Sequence, residues 1–200
     1  MTFETLLAFN VALIVSILSP GPAFLMAVRT TLGAGRKAGI AVGCGLGLVA
    51  SMWTLAALLG LDIVFDLFPW AYTVIKTGGA LYLIYIAYGM WRDAKDGIEP
   101  KEARPVGAFR QGVLVNLLNP KSVVFAAAIL VVIFPPGLSV TENALIVANH
   151  LVLELLFYTG LAFGLSTPAV SKRYLQAKAY FDRTAALVLG GLGVRLISDR

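Results

Sequence analysis

Two hundred residues, 58% of them hydrophobic and only 14% charged, with a mean hydropathy of +0.83, exclude an ordinary water-soluble domain, which carries about 25% charged residues. The net charge of +5 does not point to nucleic acid, because the basic residues fall in short stretches between apolar runs, where they act as a topology signal. A single cysteine, Cys44, and a single histidine, His150, exclude a disulfide framework and leave no ligand set for a metal.

The first apolar run covers residues 3–28 and is interrupted by Ser19-Pro20-Gly21-Pro22. Its start, Met1-Thr2-Phe3-Glu4, has no basic n-region and reads as a retained span, not a signal peptide. Pro20 and Pro22 remove two backbone donors and crowd the preceding turn, so the helix must break there. A loop over residues 29–37 follows, with Arg29, Arg36 and Lys37. Span two covers residues 38–61 and carries Gly39, Gly43, Gly47 and Ser51 at four-residue spacing, a stripe without bulk along one helix face. Gly45 adds a second small face. The stripe serves close packing within one chain or between subunits, which leaves a homodimer open. Asp62 and Asp66 read as solvated turn residues before span three, residues 69–91, which Trp70 and Trp91 bracket as interface aromatics. Lys76, near the outer end of that span, is read as snorkelling to the interface.

The polar stretch 92–109 divides the chain into a first three-helix half, 1–91, and a second, 110–200, within one membrane domain over 1–200. Span four covers residues 110–134 and is interrupted by Asn119-Pro120-Lys121. Pro135-Pro136-Gly137 turns the chain into span five, residues 141–166. A basic connector with Lys172, Arg173, Lys178 and Arg183 precedes a short apolar run, 185–197, as the sixth span. A bilayer core of about 30 Å takes roughly 20 residues per helix, so six spans use nearly the whole chain. The fold class is therefore an all-α polytopic membrane protein of about six transmembrane helices.

Orientation follows from the basic residues. Arg29, Arg36 and Lys37, then Arg92, Lys95, Lys101, Arg104 and Arg110, then Lys172, Arg173, Lys178 and Arg183 make twelve of the 16 Lys and Arg, all after odd-numbered spans. Those loops are cytoplasmic and both termini lie outside. Because each half has an odd number of spans, the halves enter the bilayer in opposite senses, as two inverted repeats. Pro20 and Pro120 then both fall roughly 15 Å from the inner surface, near the midplane. Broken helices at corresponding positions of two halves point to a transporter's binding site.

A helix restarting at the midplane offers free amides and the positive end of its dipole, which suit a carboxylate. Carbonyls freed near Ser16 and Ile17 suit an ammonium group. Ser19, Pro20, Gly21 and Pro22 from the first break, and Asn116, Asn119, Pro120 and Lys121 from the second, form the candidate substrate site. Asn116 could equally pair backbone freed by Pro120. Lys121 should face the protein interior, where a substrate or gating role competes with plain pairing. Glu154, near the midplane of span five, is the candidate for proton coupling or ammonium binding; the competing reading is a structural pair with Lys121 or a neutral acid on a backbone carbonyl. A proton relay through His150, beside Asn149, is the lesser reading against a satisfied structural histidine. No enzyme constellation and no phosphate-binding glycine loop is present.

The residues Ser19-Pro20-Gly21-Pro22, the glycines at 35, 39, 43 and 47, Lys76 with Gly79 and Tyr82-Leu83, Tyr88-Gly89, Phe109 with Gly112, and Asn119-Pro120-Lys121 with Phe125 resemble the LysE/RhtB family of amino-acid exporters. The match covers about the first 130 residues; the last 60 agree in hydropathy. The resemblance implies export of small amino acids or related metabolites across the bacterial inner membrane, driven by proton antiport, with no cofactor. Its substrates would be an amino acid and protons, in a lipid bilayer. The single deep carboxylate favours a neutral, homoserine- or threonine-like substrate over a basic one. Two other readings compete: an exporter of an inorganic ion or other metabolite, and a non-transporting membrane scaffold.

Overall fold

The computed structural model describes residues 1–18, 21–68, 70–95, 105–135 and 137–198, and within these every regular element is helical. In chain order they are α1 (Phe3–Leu18), α2 (Pro22–Leu67), α3 (Trp70–Arg92), a single 3-10 turn (Asp93–Lys95), α4 (Pro105–Leu117), α5 (Pro120–Ile133), α6 (Val140–Leu165) and α7 (Pro168–Ser198). By length and apolar composition the helical stretch Pro22–Gly60, which Gly35 interrupts, and Val140–Leu165 are each long enough to cross a membrane. The pair Gly107–Leu117 and Lys121–Leu130, bent by 59° at the break between them, makes a third such unit. Together these make the chain an all-α, multi-pass membrane protein.

Both proline interruptions end one helix and begin the next. α1 stops at Leu18 and α2 starts at Pro22; α4 stops at Leu117 and α5 starts at Pro120, whose missing N–H costs nothing in a first turn. Asn119 caps α5 by accepting the Lys121 amide on its side chain. Leu25 N–H bonds the Gly21 carbonyl, closing the first turn of α2.

Three boundaries differ from the sequence expectation. The loop over 29–37 is instead helical on both sides of one residue, Gly35, at φ 82°, ψ 179°, where only glycine sits without strain. A Cβ on Gly39 would overlap the Thr31 hydroxyl, although eight residues of straight helix span about 12 Å. The chain therefore doubles back at Gly35 into two limbs, 22–34 and 36–67. The turn expected at Asp62 and Asp66 lies within the helix, which continues to Leu67. The basic connector and the last apolar run form one continuous helix, α7, not a separate short span.

The glycine stripe finds its partner inside the chain. Added Cβ atoms at Gly39, Gly43 and Gly47 would meet Ala162, Tyr158 and Glu154 of α6. Rising numbers on one helix against falling numbers on the other make the contact antiparallel. Gly45 and Gly112 bring α2 and α4 backbone to backbone, a Cβ on either overlapping a carbonyl of the other helix. On α7, a Cβ at Gly193 would lie 2.8 Å from the Ala80 carbonyl of α3, and one at Gly190 3.5 Å from Ala87 Cβ. α1 runs beside α6 in the same sense: Met1 pairs with Glu142, Asn10 exchanges side-chain amide bonds with Asn149, and Phe9 meets the His150 ring at 5.8 Å. At the other end of α6, Arg36 stacks over Phe163 at 4.6 Å. Lys178, buried on α7, donates to Asp182 at 2.7 Å and to the Ala94 carbonyl at 3.3 Å.

Candidate functional site

The two breaks meet. In an α-helix the carbonyl of residue i accepts from the amide of residue i+4, so Pro20, which has no N–H, leaves the Ser16 carbonyl without its donor. The ammonium of Lys121, in the first turn of α5, donates to that carbonyl at 2.8 Å. Pro120 leaves the Asn116 carbonyl open by the same rule. The Trp53 indole N–H, at 3.4 Å, and the Asn119 amide, at 3.2 Å, both donate to it. Each half thus carries one proline-freed carbonyl, and other residues supply the missing donors.

Asn116 and Asn119 are buried at the second break. Asn116 donates its side-chain amide to the Leu46 carbonyl at 2.6 Å, and its Oδ1 accepts from Ser122 Oγ and, at 3.4 Å, from Asn119 Nδ2. The side chain therefore ties α4 to α2 and to the start of α5, while its own carbonyl is the one Pro120 opens.

Glu154 is 5% exposed and His150 2%. They stand four residues apart on one face of α6, with Glu154 Oε1 3.4 Å from His150 Nε2. The other ring nitrogen, Nδ1, is 2.7 Å from the Thr54 hydroxyl of α2. Gly47 makes room for the Glu154 side chain, since a Cβ there would lie 2.9 Å from Glu154 Cβ.

A cavity of about 40 Å³ joins these groups. Gly21, Asn116, Asn119, Lys121 and Glu154 line it, together with Ser16, Ser122, His150 and Tyr158 and an apolar wall that includes Leu13, Phe24 and Phe125. That volume holds a few waters, each needing about 10–15 Å³ by this measure, and is too small for an amino acid. Gly21 lies against the Lys121 chain: a Cβ there would sit 3.2 Å from Lys121 Cδ and 3.3 Å from Nζ. Among the described residues no three His, Cys, Asp or Glu side chains cluster as a metal site would need.

Of the residues singled out in the sequence, Gly21, Asn116, Asn119, Lys121 and Glu154 come together on the cavity. Pro22 begins α2 and is exposed, and Pro120 begins α5. Ser19 and Pro20, and the side chains of Pro120, Lys76, Asp62 and Asp66, lie outside the described residues. Thr54, Ser122, Trp53 and Tyr158 were not singled out. Thr54 sits three residues beyond Ser51, so continuing the small-residue stripe by one turn would have reached it.

The LysE type translocator family model matches residues 14–200. The chain is 28% identical over 194 residues to the threonine efflux protein of Escherichia coli (strain K12), covering 94% of each chain. It is also 28% identical over 204 residues to the threonine efflux protein of Salmonella typhi, covering 98% of this chain and 99% of that one. Over 166 residues it is 28% identical to the homoserine/homoserine lactone efflux protein of Salmonella typhimurium, covering 81% of each. No solved structure matches. With a match running from within α1 to the last residue, this chain belongs to the LysE type translocator family.

Proposed function

We propose that the protein is a secondary-active exporter of small neutral amino acids, threonine- or homoserine-like, which works across the bacterial inner membrane by alternating access and proton antiport. The observation that carries this reading is the half-buried contact between Lys121 and the Ser16 carbonyl, in the same cavity as Glu154. A zwitterion fits by exchange. Its carboxylate takes the Lys121 ammonium and the helix-start amides near Ala23 and Phe24, where the dipole of α2 favours an anion. Its ammonium takes the Ser16 carbonyl that Lys121 gives up, together with Glu154. Lys121 is then a place-holder for the substrate's own ammonium. Because the cavity is smaller than an amino acid, binding must part the two breaks, which links occupancy to the motion that moves access across the membrane.

The names of the relatives, threonine and homoserine efflux proteins, support a small neutral substrate. So does Glu154 as the single acid on the cavity among the described residues, since a second positive charge at this depth would lack a partner and cost several kcal/mol. The helix directions support two inverted three-helix halves in one membrane domain: the 36–67 limb of α2 against α6 and α3 against α7 are antiparallel, while α1 follows α6 and α4 follows that limb of α2. The basic residues at one end of α6, away from Glu142 and Met1, support a cytoplasmic end there with both termini periplasmic. The glycine stripe is filled within the chain, so it lends no support to a homodimer.

The test is efflux from proteoliposomes loaded in turn with threonine, homoserine and lysine, with and without an imposed pH gradient. Threonine or homoserine should leave faster when the gradient is present, and lysine should not. In Glu154→Gln, gradient-driven efflux should fall about tenfold or more while exchange of labelled substrate continues at a raised half-saturation, the ammonium keeping the Ser16 carbonyl but losing the carboxylate. Absence of efflux for every amino acid, or pH-dependent export unchanged in Glu154→Gln, would count against the reading.

A further inference from the structure

We infer that His150 shares the coupling proton with Glu154, and that the Thr54 hydroxyl serves as its switchable partner; this rests on the exporter reading above. Among the described residues, His150 Nε2 and Glu154 Oε2 are buried without a hydrogen-bond partner, and an unsatisfied polar atom in such a place is costly. Both side chains face the cavity, and Nε2 and Oε1 stand 3.4 Å apart, just beyond the usual N–H···O range. The ring is held on its other edges. Phe9 of α1 packs against it at 5.8 Å, and Thr54 of α2 contacts Nδ1 at 2.7 Å.

A threonine hydroxyl can donate or accept, so it suits both charge states of the ring. With a neutral ring the Thr54 O–H donates to Nδ1, which leaves the ring proton on Nε2 facing Glu154. When the pair gains a proton, Nδ1–H donates to Thr54 Oγ1, and imidazolium and carboxylate hold the added charge between them. Among the described residues the other titratable groups on the cavity are Lys121 from α5 and Tyr158 from α6. The exchange balances: one proton from outside water joins the pair, and the same proton leaves to cytoplasmic water when a substrate ammonium takes the Glu154 carboxylate. One proton enters for each zwitterion exported. No covalent bond other than that to the proton is made or broken.

The experiment compares wild type, His150→Gln and Thr54→Val in proteoliposomes, using labelled threonine as probe. The readout is the ratio of gradient-driven efflux to counterflow, followed across pH. The ratio cancels differences in the amount of folded protein. His150→Gln should lower the ratio about tenfold or more. Thr54→Val keeps the side-chain shape but removes the switchable hydroxyl; it should lower the ratio several-fold and displace its pH profile. Ratios within about twofold of wild type in both variants, with the profile unmoved, overturn the inference. A wild-type protein that carries no amino acid in either mode removes the exporter reading itself, an outcome distinct from variants that keep coupling.

Discussion

Lys121 brings a positive charge to the cavity that Glu154 also lines. Its ammonium crosses from α5 to a carbonyl of α1, 105 residues away in sequence, and a hydrogen bond to a charged group is worth about 1.5–3 kcal/mol. Lys121→Met keeps length and apolar contact but removes the charge. If that charge also meets the substrate carboxylate, half-saturation for threonine should rise roughly 10- to 100-fold in a counterflow titration. An unchanged half-saturation with a lower melting temperature would reduce Lys121 to a helix-to-helix tie. Glu154 and His150 differ from Lys121 in kind. They lie on one helix, so their four-residue spacing was visible in the sequence, but the closeness of His150 to Thr54 was not.

The elements are held at their distances by glycine. Gly45 and Gly112 let α2 and α4 touch through their backbones, and a Cβ on either would overlap a carbonyl, which cannot rotate away as a side chain can. Gly45→Ala and Gly112→Ala should each destabilise by about 1–3 kcal/mol, the usual range for overpacking, and lower the melting temperature in detergent. Gly60 and Gly160 have nothing within 4 Å of an added Cβ. Alanine at either should be neutral or should stabilise by about 0.5–1 kcal/mol through helix propensity. Equal melting temperatures for the two sets would contradict the close approach of α2 and α4. The same contact matters to the site, because Asn116, one turn after Gly112, reaches the Leu46 carbonyl only across that short gap.

Across the whole molecule, charge and packing agree on two ends. Arg36 stacks on Phe163 near the C-terminal end of α6, whereas Glu142 pairs with Met1 near its N-terminal end, about 30 Å away at 1.5 Å per residue. With Cys44 replaced by serine, single cysteines at Lys37 and Lys172 should react with a membrane-impermeant thiol reagent only from the cytoplasmic side. A cysteine at Ser139 should react only from the periplasmic side. Labelling of all three from one side would refute the six-span alternation.

What the sequence determined by itself was covalent or compositional. Proline has no N–H, so the breaks near residues 20 and 120 follow from residue type, whatever surrounds them. Low charge and basic stretches after alternate apolar runs were enough for a membrane protein and its expected orientation. A freed carbonyl near Ser16 is legible for the same reason, but not its partner in the fold: the sequence points to a substrate ammonium there, and the structure puts that of Lys121 on it. The partners of the glycine stripe, the hairpin turn at Gly35, the continuity of α7 and the Thr54–His150 contact came only from the tertiary structure. Glycine spacing states that something approaches without saying what, and a hydrogen bond between residues 96 positions apart depends on distances that no local pattern encodes.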